Sequence, residues 1–144
     1  MGTVFDSSAL IAACVEVHPK HHSAISWLKQ AKNKEIEYIV AAHSLLEVYS
    51  VLTSAPFKPP VSPATAHQLI EQNIKRDAKI ISLSEQEYFQ VIDSMVRSGL
   101  RGGIAYDAIV VKCARKCKAK EIITSNIKDF SRLIPDDSIK IIAL

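Results

Sequence analysis

Five short runs rich in β-branched and aromatic residues alternate along the chain with longer stretches of helical periodicity. That alternation constrains the fold more than any other feature. Two strands separated by a helix are joined by a crossover, and crossovers build parallel sheets whose faces are covered by helices. The strand-like runs are Thr3–Phe5, Tyr38–Ala42, Lys79–Leu83, Glu121–Thr124 and Ile139–Ala143. Between them, apolar residues recur at helical spacing over Ala9–Val17, His21–Lys32, Leu45–Leu52, Ala64–Arg76, Tyr106–Lys118 and, briefly, Lys128–Leu133. Ser84 and Glu87 have the spacing of a capping box, so a helix is expected to start there, run to about Arg97 and close at Gly99. The expected fold is α/β, a parallel β-sheet flanked by helices.

A chain of 144 residues suits one domain, and 48% apolar with 23% charged residues is a globular balance, far from that of disorder. Four prolines between Pro56 and Pro63 make an irregular loop rather than a linker, because the α/β pattern continues on both sides. One domain over residues 1–144 is expected. Cys14, Cys113 and Cys117 are an odd set without CxxC spacing and read as free thiols in a reducing compartment. No basic leader precedes the first strand and no apolar run approaches the roughly 20 residues of a membrane span, so a soluble cytoplasmic protein is expected. A net charge of +3 permits a polyanionic partner without requiring one.

In an open α/β sheet the ligand site lies beyond the carboxyl ends of the strands. Asp6 and Asn126 each follow a strand, and Glu47 and Asp107 fall in the first turns of helices that should begin at the same edge. Taken singly, each acid has an ordinary structural explanation, as a turn former or a charge favoured by a helix dipole. Their context argues otherwise. Leu45, Leu46 and Val48 surround Glu47, and Ala105, Ala108 and Ile109 surround Asp107, so both carboxylates should be partly buried. Buried carboxylates need a cationic partner, and none is evident on the same turns. A cluster of oxygen ligands suits Mg²⁺ or Mn²⁺, which points to phosphodiester hydrolysis. A phosphotransferase with Asp6 as nucleophile would want a second Asp at position 8, where this chain has Ser8. A binding module that has lost catalysis is the other rival, which the three intact acids oppose.

Four segments carry a family resemblance: Val4-Phe5-Asp6-Ser7-Ser8-Ala9-Leu10-Ile11, Leu46-Glu47-Val48, Tyr106-Asp107-Ala108-Ile109-Val110 and Thr124-Ser125-Asn126-Ile127-Lys128-Asp129-Phe130. In that order, spread over the whole chain, they resemble the PIN-domain family and its VapC-type toxins. The resemblance implies a three-layer α/β/α sandwich, an acidic cluster holding Mg²⁺ or Mn²⁺, and endoribonuclease activity. It makes Asp6, Glu47 and Asp107 the catalytic, metal-binding acids, supported by Ser7 or Ser8 and by Thr124. Many members have Asp at the place of Asn126; the Asn126 carbonyl could still ligate, or Asp129 could supply the missing charge. A small antitoxin protein and a homodimer are the implied partners.

On the substrate side, Lys112, Arg115, Lys116 and Lys118, with Arg97, Arg101, Lys128 and Arg132, form either a phosphate-contacting rim or a solvated face. Arg101, beside Gly102-Gly103 and near Asp107, is the best placed for RNA, with Lys112 and Lys128 as further candidates. His18, His21 and His22 lack a carboxylate-rich pattern and read as surface residues. Trp27 reads as core or dimer packing, and Tyr49, Val51 and Leu52 as core.

Overall fold

The computed structural model describes residues 2–144. Its elements are β1 (Thr3–Phe5), α1 (Ser7–Cys14), α2 (His21–Lys32), β2 (Tyr38–Ala41), α3 (Ala42–Ser54), α4 (Pro63–Ile70), β3 (Lys79–Ile81), α5 (Glu85–Ser98), α6 (Ile104–Lys116), β4 (Glu121–Thr124), α7 (Ile127–Leu133) and β5 (Lys140–Ala143). All five strands are parallel, in the order β3-β2-β1-β4-β5. The central strands are buried along their whole length, as continuous apolar runs require.

Alternation within each strand builds the layers. Phe5, Tyr38, Val40 and Ile123 point to one face, where α1 to α4 pack through Leu10, Leu28, Val48 and Leu52. Val4, Ile39, Ala41 and Ile122 point to the other, against Val110, Cys113, Ala114 and Phe130 of α6 and α7. The α5 helix lies outside α6, with Val91 and Met95 packed near Ile104 and Ala108. The result is the three-layer α/β/α sandwich. Ser84 and Glu87 form the reciprocal capping box that opens α5, and Gly99 closes it in the left-handed conformation at φ 65°.

Several boundaries differ from the sequence expectation. The first helix covers Ser7–Cys14 instead of Ala9–Val17. It starts early because the extended backbone of Asp6 turns the chain directly from strand into helix. It ends early because Val15 is extended, and Val17 is left exposed ahead of His18-Pro19. The stretch after Pro63 is α-helical only to Ile70, then widens into a π-turn over Glu71–Lys75. There the Tyr38 hydroxyl donates to the Asn73 carbonyl at 2.8 Å. The α6 helix begins at Ile104, two residues before Tyr106. Tyr49 and Val51 are exposed and not core, because α3 turns Ser44, Val48 and Leu52, spaced four apart, toward the sheet. Trp27 is half-buried against the α1–α4 core.

The three cysteines are free thiols. Burial pushes Cys14 and Cys113 up to about 11, so both stay protonated and unreactive at neutral pH. His21 bonds the Ala12 carbonyl at 2.8 Å and His18 accepts from the Lys20 amide, both local structural roles. No helix among the described residues is long and apolar enough to cross a membrane.

Candidate active site

The chain reverses its direction across the sheet between β1 and β4: β2 and β3 are added on one side of β1, β4 and β5 on the other. Loops diverge there and leave a crevice at the carboxyl ends. The register pairs Phe5 with Ile123, so the next residues, Asp6 and Thr124, come side by side. Asp6 is only 3% exposed and does not cap α1 with its side chain. Its Oδ2 accepts instead from the Thr124 hydroxyl at 2.8 Å and the Ser8 hydroxyl at 2.9 Å, and Oδ1 takes no hydrogen bond from the described residues. Ser8 and Thr124 are themselves held by the Ser125 and Asn126 amides at 3.1 and 2.9 Å. Of the two serines offered as supports, Ser8 reaches Asp6; Ser7 makes no such bond.

Asp107 lies in the first turn of α6, and Asn126 precedes α7. The Asn126 amide donates from Nδ2 to Asp107 Oδ2 and to Asp129 Oδ2, both at 3.0 Å. Asn126 therefore presents its donor side to both acids and ties them together, instead of offering them a carbonyl. Glu47 sits in the second turn of α3, half-buried, 3.5 Å from His43 Nε2. The His43 ring stacks parallel on Tyr106, with centroids 5.3 Å apart and planes 2° apart. Neither His43 nor Tyr106 was singled out from the sequence; they lie far apart in the chain and meet only where α3 passes α6.

The electrostatics show how close these acids are. Asp107 is pushed up to about 7, first by burial, then by the negative charges of Asp6, Asp129 and Glu47, against a small opposing effect of Asn126. Glu47 is also raised, by burial and Asp6, although His43 works the other way. Cationic compensation is thin: Arg132 stands 3.8 Å from Asp129, and His43 faces Glu47. Among the described residues, no three His, Cys, Asp or Glu side chains form a ready-made metal cage. The donor set still fits a hard cation. Neighbouring carboxylates in one crevice raise one another's cost of ionisation, which a bound cation relieves, and an ion such as Mg²⁺ needs few of them because it keeps several waters.

The basic residues divide. Lys116 is a structural tie, bonded to Glu87 and the Ser82 carbonyl, both at 2.8 Å. Arg115 bonds Ser138 at 2.9 Å and approaches Asp136 at 3.8 Å. Arg97, Arg101, Lys112 and Lys128 enter no ion pair among the described residues.

The PIN domain family profile matches residues 3–134, which spans β1 through α7 and includes Asp6, Glu47, Asp107 and Asp129. The chain belongs to the PIN domain family. Among curated proteins, this PIN domain is 28% identical over 123 residues to Ribonuclease VapC40 of Mycobacterium tuberculosis, covering 85% of each chain. Among solved structures it resembles VapC20 of M. tuberculosis, described as a sarcin-ricin loop cleaving toxin, with a TM-score of 0.70, 14% identity, and 90% and 94% of the two chains covered. It also resembles VapBC2 of Rickettsia felis, solved with a DNA fragment from its promoter, with a TM-score of 0.69, 16% identity, and 100% and 99% coverage. The two structural likenesses support the fold, a PIN domain with a five-stranded parallel sheet.

Proposed function

We propose that this PIN domain is a divalent-cation-dependent endoribonuclease and the toxin of a VapBC-type pair. The observation that carries the reading is the convergence of Asp6, Glu47, Asp107 and Asp129 at the switch point of the sheet, where burial first, and then its acidic neighbours, drive Asp107 up to about 7. Kinship with a protein named as a ribonuclease gives the reaction class.

Asp6, Glu47 and Asp107 would hold the Mg²⁺ or Mn²⁺ ion. When bound, such an ion supplies the positive charge that polarises both the attacking water and the scissile phosphate. Thr124 and Ser8 fix the Asp6 carboxylate by donating to one oxygen, so its other oxygen faces the crevice. Asn126 ties Asp107 and Asp129 together by donating to both. Glu47, half-buried and close enough to Asp6 to feel its charge, would add its carboxylate to the seat of the cation. Arg101, Lys112 and Lys128 contact the RNA backbone around the crevice.

The partner expected beside the RNA is a small antitoxin that covers the acids with a basic segment, in a cytoplasmic complex containing a homodimer of this chain. The likeness to the VapBC2 structure of Rickettsia felis and the VapBC-1 structure of nontypeable Haemophilus influenzae supports the antitoxin partner. The test is incubation of cellular RNA with the purified, partner-free protein in Mg²⁺, Mn²⁺ or EDTA. Cutting in the divalent ions and none in EDTA is expected; RNA binding without cutting in either ion would replace the nuclease with a binding module.

A further inference from the structure

A cleft of about 320 Å³ lies between α5, α6 and α7. Its floor is apolar, made by Val91, Ala108, Val111 and Leu133. Ala108 directly follows Asp107 on α6, so a lining residue of the cleft is the chain neighbour of one of the acids. Successive helical residues point about 100° apart, which turns Asp107 toward Asn126 and leaves Ala108 on the neighbouring face. Lys112 and Arg115 continue the Ala108 stripe at helical spacing, so the cleft runs roughly 10 Å along α6.

The lining has the chemistry of a nucleotide. An apolar floor accepts the face of a flat ring, and Gln90 and Ser94, exposed on α5, bring an amide and a hydroxyl to its edge. Arg97 and Lys112 stand at the rim without an ion-pair partner among the described residues, whereas Arg115 is engaged with Asp136 and Ser138. Two cations above an apolar slot suit a base flanked by phosphates better than a neutral or acidic-floored ligand. The volume lies at the small end of the range for ligand pockets, enough for one residue of a chain and no more.

We propose that this cleft takes one unpaired nucleotide of the substrate RNA, its base on the Val91–Leu133 floor and its phosphates against Arg97 and Lys112. The inference rests on the nuclease reading and adds to it the place on the fold where one nucleotide beside the cut is held. A base held in a duplex cannot enter the slot.

The test needs no cleavage. Adenosine 3′,5′-bisphosphate is titrated in EDTA into the isotopically labelled protein and followed by amide chemical shifts. Shifts confined to the surroundings of Ser94, Ala108 and Val111 are expected, with tenfold weaker binding in the double variant Arg97→Gln, Lys112→Gln. Ser94→Phe, at an exposed position, fills the slot and should remove the shifts. Unchanged binding by either variant, shifts elsewhere only, or equal binding of inorganic phosphate alone would overturn the proposal. A protein that cuts RNA but does not bind the nucleotide loses this inference and keeps the nuclease; one that binds but does not cut loses the nuclease.

Discussion

At the amino ends of β1 and β4 the Thr3 hydroxyl donates to Glu121 at 2.7 Å, and at their carboxyl ends the Thr124 hydroxyl donates to Asp6 at 2.8 Å. The same two strands thus carry the same buried threonine–carboxylate pair twice, with Glu121 8% and Asp6 3% exposed. Their surroundings differ. Glu121 stands in register with Lys140 on the neighbouring strand. Asp6 shares its end of the sheet with Glu47, Asp107 and Asp129, whose charges reach one another. A buried carboxylate with a hydroxyl donor is an ordinary way to close a sheet edge. Negative charge gathered from four separate elements, with little cation among it, has no such structural explanation and is what supports the proposed cation site at that end.

The largest difference should appear in catalysis. Asp6→Asn keeps an oxygen for the Ser8 and Thr124 hydroxyls but removes the charge, and should lower RNA cleavage by about 100-fold or more, as loss of a preorganised charge typically does. Glu121→Gln should cleave at the parent rate; a comparable loss there would erase the distinction between the two ends.

Stability should treat the two ends alike. Thr3→Val leaves the Glu121 carboxylate without its hydroxyl donor and Thr124→Val leaves Asp6 with Ser8 alone; each should cost about 1–3 kcal/mol in urea unfolding. Only Thr124→Val should also slow cleavage, by loosening Asp6. If Thr3→Val slows it equally, the activity loss reflects general destabilisation.

A third expectation concerns pH. Folding raises Asp107 from 3.8 to about 7, so the folded state binds that proton more tightly than the unfolded one. Its stabilising contribution is full below 3.8 and is lost as pH rises through about 7. In EDTA the melting temperature should therefore drop across that window, and in Asp107→Asn the drop should be smaller. Mn²⁺ should restore the parent at the upper end. An identical pH profile for parent and variant would contradict the crowding of acids around Asp107.

The smallest effect belongs to His43→Ala. Loss of the half-exposed pair with Glu47 should cost only a few tenths of a kcal/mol. Because His43 lowers the proton affinity of Glu47, its removal should move the acidic limb of the pH–rate profile upward. A limb that stays in place would show that Glu47 does not set it.

Much of this was legible in the chain because strand ends and helix starts are. Asp6, Asp107 and Thr124 lie within a residue or a turn of a boundary that β-branched runs and helical periodicity reveal, and a parallel sheet brings such boundaries to one edge. Relations between elements were not legible. The stacking of His43 on Tyr106 and the bond between Thr3 and Glu121 depend on register and on helix crossings, which leave no local pattern. Asn126 could be placed from sequence, but whether its amide or its carbonyl faces the acids depends on the side-chain orientation. Lys116 looked like part of a substrate rim until α5 brought Glu87 beside it. Tyr49 and Val51 show the same limit in the core, since apolar character alone does not say which side of a helix meets the sheet.

The most direct test of the contrast is Mn²⁺ binding, read by electron paramagnetic resonance on the parent, Asp6→Asn and Glu121→Gln proteins side by side. Binding by the parent and by Glu121→Gln, with a clear loss in Asp6→Asn, is the predicted result. No binding by the parent, or equal binding by all three, would contradict the assignment of the cation site to the carboxyl ends of β1 and β4.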